Sequence, residues 1–284
     1  MFFQVLISGI MIGLIYALVA VGLTLIWGVM DIINFAHGDL MMWGMFIAYW
    51  GFALAGIDPL ASIPLSAIGL FLLGVILYKL VLNKIVDAPL ITALLATYGL
   101  SLILKNTALL SFGPDYRTVE NPLLEGSWEL GGLIVSRPKL VGALISILVI
   151  SALYYFIKKT RTGKAIQAIS MDKTAALLVG VNTERLYTIT FGIGAAMTGI
   201  AGAILTNFFT ISPESGSTFV LLSFVIVALG GFGSITGALG AGVLVGILAA
   251  LTGFYLSPAF KFAIIFAGYL VVVMIRPKKG LFGW

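Results

Sequence analysis

Long apolar runs, separated by short polar clusters, set the rhythm of the chain. Stretches with few or no charges cover 5–28, 40–57, 60–78, 89–110, 140–157, 187–211, 218–235, 237–256 and 260–275. Each approaches the roughly 20 residues that carry a helix across a bilayer core. Lipid offers no partner to backbone N–H and C=O groups, so each run is expected to be helical. The region Ser215–Phe260 holds no charge and is too long for one span but right for two. The predicted fold is therefore all-α, a polytopic transmembrane helical bundle of eight or nine spans. One or two of its segments are expected to be broken or re-entrant. The candidates are Asp31–Asp39 and Gly230–Gly237, which is allowed only where protein or a wet cavity satisfies the backbone.

Composition agrees with this pattern. Hydrophobic residues make up 61% of the 284 and charged residues only 10%, against roughly 25% charged in ordinary soluble domains. A surface this apolar needs lipid as part of its solvent. The 34 glycines suit close helix packing in a membrane. With no cysteine, disulfides and thiolate-ligated metals are excluded. The net charge of +5 matters through its placement and does not imply nucleic acid. Lys158, Lys159, Arg161, Lys164, Lys173 and Arg185 share one loop; Arg276, Lys278 and Lys279 lie in the tail; Lys79 and Lys84 flank a third connection. All three alternate correctly if they face the cytoplasm. The loop 113–138, with Asp115, Glu120, Glu125 and Glu129, then faces outside. So does the N-terminus, if nine spans are present. Met1–Met30 is uncharged and lacks a basic n-region. It exceeds the apolar core of about 7–15 residues of a signal peptide, so it is expected to be a retained first span.

The basic loop carries helix punctuation. Asp172 is placed to cap a short helix through Lys173–Val179, and Gly180 to stop it. Ala175, Ala176, Leu178 and Val179 give that helix an apolar face, and Asn182-Thr183-Glu184 opens the next span. Such a helix either docks a cytoplasmic partner or lies on the lipid surface.

Motifs for chemistry are missing. Gly163-Lys164-Ala165 lacks both the leading glycine and the Ser/Thr of a nucleotide-binding loop. No serine sits in a nucleophile elbow, and His37 is the single histidine. No catalytic or metal-binding residue is assigned. The cluster Asp31-Ile-Ile-Asn-Phe-Ala-His-Gly-Asp39 is unusual, because ionisable groups at mid-bilayer cost roughly 2.5–3.5 kcal/mol each on insertion scales. Either Asn34 and Asp39 cap the next helix at an interface, or Asn34, His37 and Asp39 line a translocation path. In both cases His37 is expected to hold a backbone carbonyl or Asp39. The run through Gly230, Gly231, Gly233 and Ser234 has the same two readings, tight small-residue packing or a second interruption along the path. One interruption in each half of the chain hints at an internal repeat. Lys105 is expected to snorkel toward the outer face, a counter-ion role being the lesser alternative, and Lys261 to anchor the last span at the interface.

The run Ile33-Asn-Phe-Ala-His-Gly-Asp39 resembles the signature of the bacterial branched-chain amino acid ABC transporter permeases. Arg161-Thr-Gly-Lys-Ala165 is similar to that family, as are Ala175, Ala176, Gly180, Val181, Asn182 and Arg185. Phe191, Gly194, Ala195, Gly199, Ala201 and Gly202 follow the same pattern, as do Gly230-Gly-Phe-Gly-Ser234 and the ending Arg276-Pro-Lys-Lys-Gly-Leu-Phe-Gly283. The resemblance spans nearly the whole chain and favours the shorter of two paired permease types; permeases for urea and short amides look alike. It implies a single permease domain over 1–284, in a bacterial or archaeal plasma (inner) membrane. It implies a second permease subunit, related or identical, two cytoplasmic ATPase subunits and an extracytoplasmic substrate-binding protein. ATP then acts on those partners, and this chain holds no cofactor of its own. Within the loop 158–186, ATPase coupling would fall to Arg161, Gly163, Asp172, Ala175, Ala176, Leu178 and Gly180. The implied activity is import of branched-chain amino acids or a similar small polar solute. An ion-coupled secondary carrier is the alternative, with Asp31, His37 and Asp39 as its titrating cluster.

Overall fold

A computed structural model describes residues 1–120, 122–130 and 133–275. Its helices are α1 (Phe2–Met30), α2 (His37–Ala55), α3 (Ile63–Leu80), α4 (Leu90–Phe112), α5 (Arg137–Lys159), α6 (Arg161–Met171), α7 (Lys173–Leu178), α8 (Thr183–Leu205), α9 (Ser215–Gly230), α10 (Ile235–Tyr255) and α11 (Lys261–Ile275). Every apolar stretch read from the sequence coincides with one of them. Among the described residues, seven helices are long and apolar enough to cross a membrane. With α2 and the 16-residue α9 they form an all-α polytopic bundle.

The core is built around α1, whose buried positions run almost without a break from Ile15 to Ile26. It lies antiparallel to α10 through small residues. A Cβ at Gly13 would stand 2.7 Å from the Gly242 carbonyl oxygen, and one at Gly242 would stand 2.6 Å from the Ala17 Cβ. Two helices approach this closely only where side chains are absent or minimal. Helix α8 packs between α1, α2 and α3, with Gly44 of α2 against Gly199 and Tyr78 of α3 against Phe191. The outer helices show the opposite pattern. Leu65, Ile68, Leu72 and Ile76 of α3, Leu144, Ile147 and Leu148 of α5, and Leu270, Val271 and Met274 of α11 are exposed. A stripe of large exposed aliphatics at helical spacing is a lipid-facing surface.

The loop 113–138 is more ordered than an all-α reading implies. Strands β1 (Ser127–Leu130) and β2 (Leu133–Ser136) pair antiparallel, with Trp128 opposite Val135. Asp58, between α2 and α3, ties this loop down by accepting from Leu123 N at 2.8 Å. The tail with Arg276, Lys278, Lys279 and Gly283 lies outside the described residues.

Candidate functional site

Helix α1 ends at Asp31, which takes a left-handed conformation (φ 53°) and returns its N–H to Trp27 O. The chain then turns back along α1. Ile32, Asn34 and Ala36 are buried. Asn34 Oδ1 accepts from Ala36 N at 3.1 Å, a local turn that substitutes for helical bonding. Thr97 of α4 donates to Ile33 O at 2.8 Å, and Phe35 packs its ring against Phe224 and Tyr98. His37 Nε2 then meets Val19 O at 2.9 Å. A carbonyl only accepts, so Nε2 carries the proton. Val19 lies midway along α1, whereas Asp31 lies at its end. Six residues therefore climb from the end of the bundle to its middle, and α2 starts there.

Asp39 sits in the first turn of α2 and is 4% exposed. Ser101, the central residue of α4, donates to Asp39 Oδ2. Neither Asn34 nor Asp39 is the N-cap of α2; that position is Ala36, which makes no side-chain cap bond, and Asn34 reaches only the Ala36 N–H ahead of the helix. The third wall is α9. Residues 206–214 leave α8 without regular structure, are pinned by a bridge between Ile211 and Arg117, and deliver α9 to the same level. A Cβ at Gly216 would lie 2.6 Å from Asp39 Oδ1. Lys105, one turn beyond Ser101, pairs with Glu214 at 2.6 Å. Lys105 thus has an acidic partner, Glu214, on an exposed face of the bundle. Two helix N-termini, those of α2 and α9, converge on the middle of α4. Their aligned peptide dipoles give this point a positive bias.

Gly230, Gly231, Gly233 and Ser234 are placed differently. Helix α9 ends at Gly230 and α10 begins at Ile235, so this segment is a short hairpin at the helix ends. Gly231 and Gly233 have φ of 91° and 79°, values that an L side chain strains to adopt. Gly233 N donates to Thr24 Oγ1 at 3.0 Å, Phe232 stacks on Trp27, and Ser234 caps α10 through Gly237 N. With Phe232 53% exposed, these four residues pack against the end of α1 and stay away from the central cluster. The second interruption that does reach the centre is 206–214, which sequence reading passed over. Its signal was Glu214, an acid directly before a long uncharged run. Ser101 and Lys105, four apart with Thr97 on one face of an apolar helix, were the matching signal on α4.

In the loop 158–186, α6 adds a helix that the sequence reading did not assign. Thr160 Oγ1 caps it through Gly163 N at 2.9 Å, and Gly163 is buried at the α5–α6 corner against Phe156 and Ile157. Asp172 Oδ1 caps α7 through Ala175 N at 2.9 Å, and Gly180 ends the turn with φ of 83°. Ala176 is 3% exposed and points into the chain, so it leaves the outward face to Ala175, Leu177, Leu178 and Val179. Leu178 is 84% exposed. Arg161 is exposed at the start of α6. Lys173 bonds Asp87 of the α3–α4 connection; that bond raises its ammonium pKa above the usual lysine value. Lys261 donates to Tyr16 OH at 3.2 Å, an internal partner in place of a purely interfacial one.

A bundle of apolar helices with two half-sunken N-termini around a polar centre is a multi-pass membrane protein. The family described as "Branched-chain amino acid transport system / permease component" matches residues 5–275. The chain belongs to this permease family. It is 32% identical to the high-affinity branched-chain amino acid transport system permease protein LivH of Escherichia coli K12, over 99% of this chain and 96% of that protein. It is 29% identical to the permease protein BraD of Pseudomonas aeruginosa, with the same coverage. A probable LivH of Methanocaldococcus jannaschii is 26% identical over 91% of this chain and 83% of its own length. No solved structure matches the chain significantly.

Proposed function

We propose that this chain is the membrane-spanning permease subunit of an ATP-driven importer for branched-chain amino acids or a closely similar small solute, in a plasma (inner) membrane. The observation that carries this reading is the buried Asn34–His37–Asp39 entry to α2, set at mid-bundle in a permease-family chain. Buried polar groups at that depth are costly unless they serve a path or one another. The chain has no nucleotide-binding loop of its own, so ATP hydrolysis falls to cytoplasmic ATPase subunits. A second permease subunit completes the path, and an extracytoplasmic binding protein delivers the solute.

Helix α7 is the coupling element of this scheme. Its cap at Asp172 and stop at Gly180 make it rigid, and Leu178 and Val179 present an apolar tip to a groove on the ATPase. Closure of the ATPase pair on ATP moves α7, and the permease halves rock between outward and inward access. ATP shifts that equilibrium only by its differential affinity for the two states. A glutamate at position 178 places a charge in that groove; Leu178→Glu is expected to abolish ATP-driven uptake and weaken ATPase co-purification while leaving insertion intact. Normal coupling in Leu178→Glu removes α7 from this role.

The direct test is uptake by vesicles carrying the chain with its co-purifying subunits. Accumulation of labelled leucine that needs ATP and persists without ion gradients is the expected result. Uptake that follows an ion gradient without ATP identifies a secondary carrier instead. Cysteines introduced singly at Lys173 and Glu125 should label from the cytoplasmic and outer sides respectively, with no native cysteine to interfere.

A further inference from the structure

We infer that Lys105, Glu214 and Asp39 form the mid-membrane subsite that receives a zwitterion, Lys105 taking its carboxylate and the two acids its ammonium group. The inference rests on the amino-acid permease reading and specifies the chemistry of its centre.

Three observations combine. First, the level is mid-membrane. Ser101 lies at the centre of the 23-residue α4, and His37 and Asp39 open α2 beside Val19 and Gly22, near the middle of α1. Second, the face is open. Glu214, Ser217 and Thr218 on the first turn of α9 are exposed, and the Lys105 side chain keeps 29% of its surface. An exposed carboxylate and two hydroxyls at this depth do not suit lipid, so the face borders the path or the second permease subunit. Third, the charges do not balance. Two carboxylates, Asp39 and Glu214, flank one lysine, and Asp39 otherwise has the Ser101 hydroxyl. Asn34, wholly buried in the adjoining segment, leaves Nδ2 without an acceptor among the described residues.

A zwitterion resolves this arrangement without stranding a charge. It slips between Lys105 and Glu214, trading one internal ion pair for two with the substrate. The spare carboxylate of Asp39 gives the ammonium group a second acceptor, and the N-termini of α2 and α9 favour the carboxylate. A solute lacking either charge opens the internal pair and leaves one member uncompensated. Sites of this kind reject the incomplete analogue strongly, because their own polar groups go unpaired.

The test measures equilibrium binding of labelled L-leucine to the purified permease complex without its binding protein. Competitors are leucinamide, which lacks the carboxylate, and 4-methylpentanoate, which lacks the ammonium group. Leucine is expected to compete at least about tenfold better than either analogue. Lys105→Met should erase its advantage over leucinamide alone, and Glu214→Gln should reduce, with Asp39 still present, its advantage over 4-methylpentanoate alone. A merely structural ion pair would scale all three ligands together. The double exchange Lys105→Glu with Glu214→Lys keeps the pair should a single variant fail to assemble; it should retain discrimination against both analogues. Equal competition by all three ligands, or unchanged ratios in the single variants, overturns the inference. If vesicles still take up leucine with ATP in that case, the permease reading stands and only the zwitterion subsite falls. Absence of leucine uptake by the unaltered complex removes both.

Discussion

The two glycine-bearing interruptions, Asp31–Asp39 and Gly230–Gly237, look alike in sequence and do opposite things in space. Each joins two apolar runs. The first travels back from the end of α1 to its middle and starts α2 beside Val19. The second turns within four residues at the helix ends and packs Phe232 on Trp27. What separates them is side-chain chemistry. Asn34, His37 and Asp39 bring groups that can satisfy a backbone taken out of its helix, and each meets a partner on another part of the chain or in its own turn. The glycines bring only conformational range, which suffices for a hairpin and not for an entry into the core. Polar content, more than glycine content, marks depth.

The largest expected effect is at Asp39. Asp39→Leu removes the acceptor of Ser101 and a charge from the centre, and leucine uptake should fall by at least about tenfold; the stranded hydroxyl alone costs about 1–3 kcal/mol. Assembly with partner subunits, followed by co-purification, should persist. Asn34→Leu should act in the same direction, and uptake at the native rate in both variants would reduce 31–39 to a structural turn. Next come Gly231→Ala and Gly233→Ala. Each forces an L side chain to positive φ at a cost of about 1–2 kcal/mol, read as a lower unfolding temperature, with uptake per folded molecule unchanged. A transport defect without loss of stability would put the hairpin on the path. Smaller still is Thr24→Val, which removes the hydroxyl that holds Gly233 N and should cost about 0.5–1.5 kcal/mol. The least effect belongs to Asp87→Asn. It breaks an exposed pair with Lys173, worth about 0–1 kcal/mol, and should change neither uptake nor assembly by more than a small factor.

The bundle itself was legible because lipid imposes a simple code. Uncharged runs of sufficient length can only be helices, and each predicted run coincides with one. The caps of α7 and α8 were equally readable, since Asp172 and Asn182 act on the backbone three residues ahead. Tertiary partnerships were not. Ser101 meets Asp39 across 62 residues, and Lys105 meets Glu214 across 109. No periodicity records such pairings. The orientation of Ala176 was hidden for a related reason. In a six-residue helix, small apolar side chains point all round, and only packing against α8 and α6 decides which is buried. The segment 206–214 escaped because apolar Phe208, Phe209 and Ile211 continue the hydrophobic pattern of α8 after its helix has ended.

Single cysteines at Ser101 and at Phe232, in the otherwise cysteine-free chain, set the two interruptions side by side. The assembled transporter is treated with a water-soluble thiol reagent, with and without saturating leucine. Cysteine at position 101 should react, and leucine should slow that reaction severalfold. Cysteine at position 232 should react at a rate that leucine does not alter. Protection at 232 with none at 101 would move the path to the glycine hairpin and contradict the central role of the Asn34–Asp39 entry.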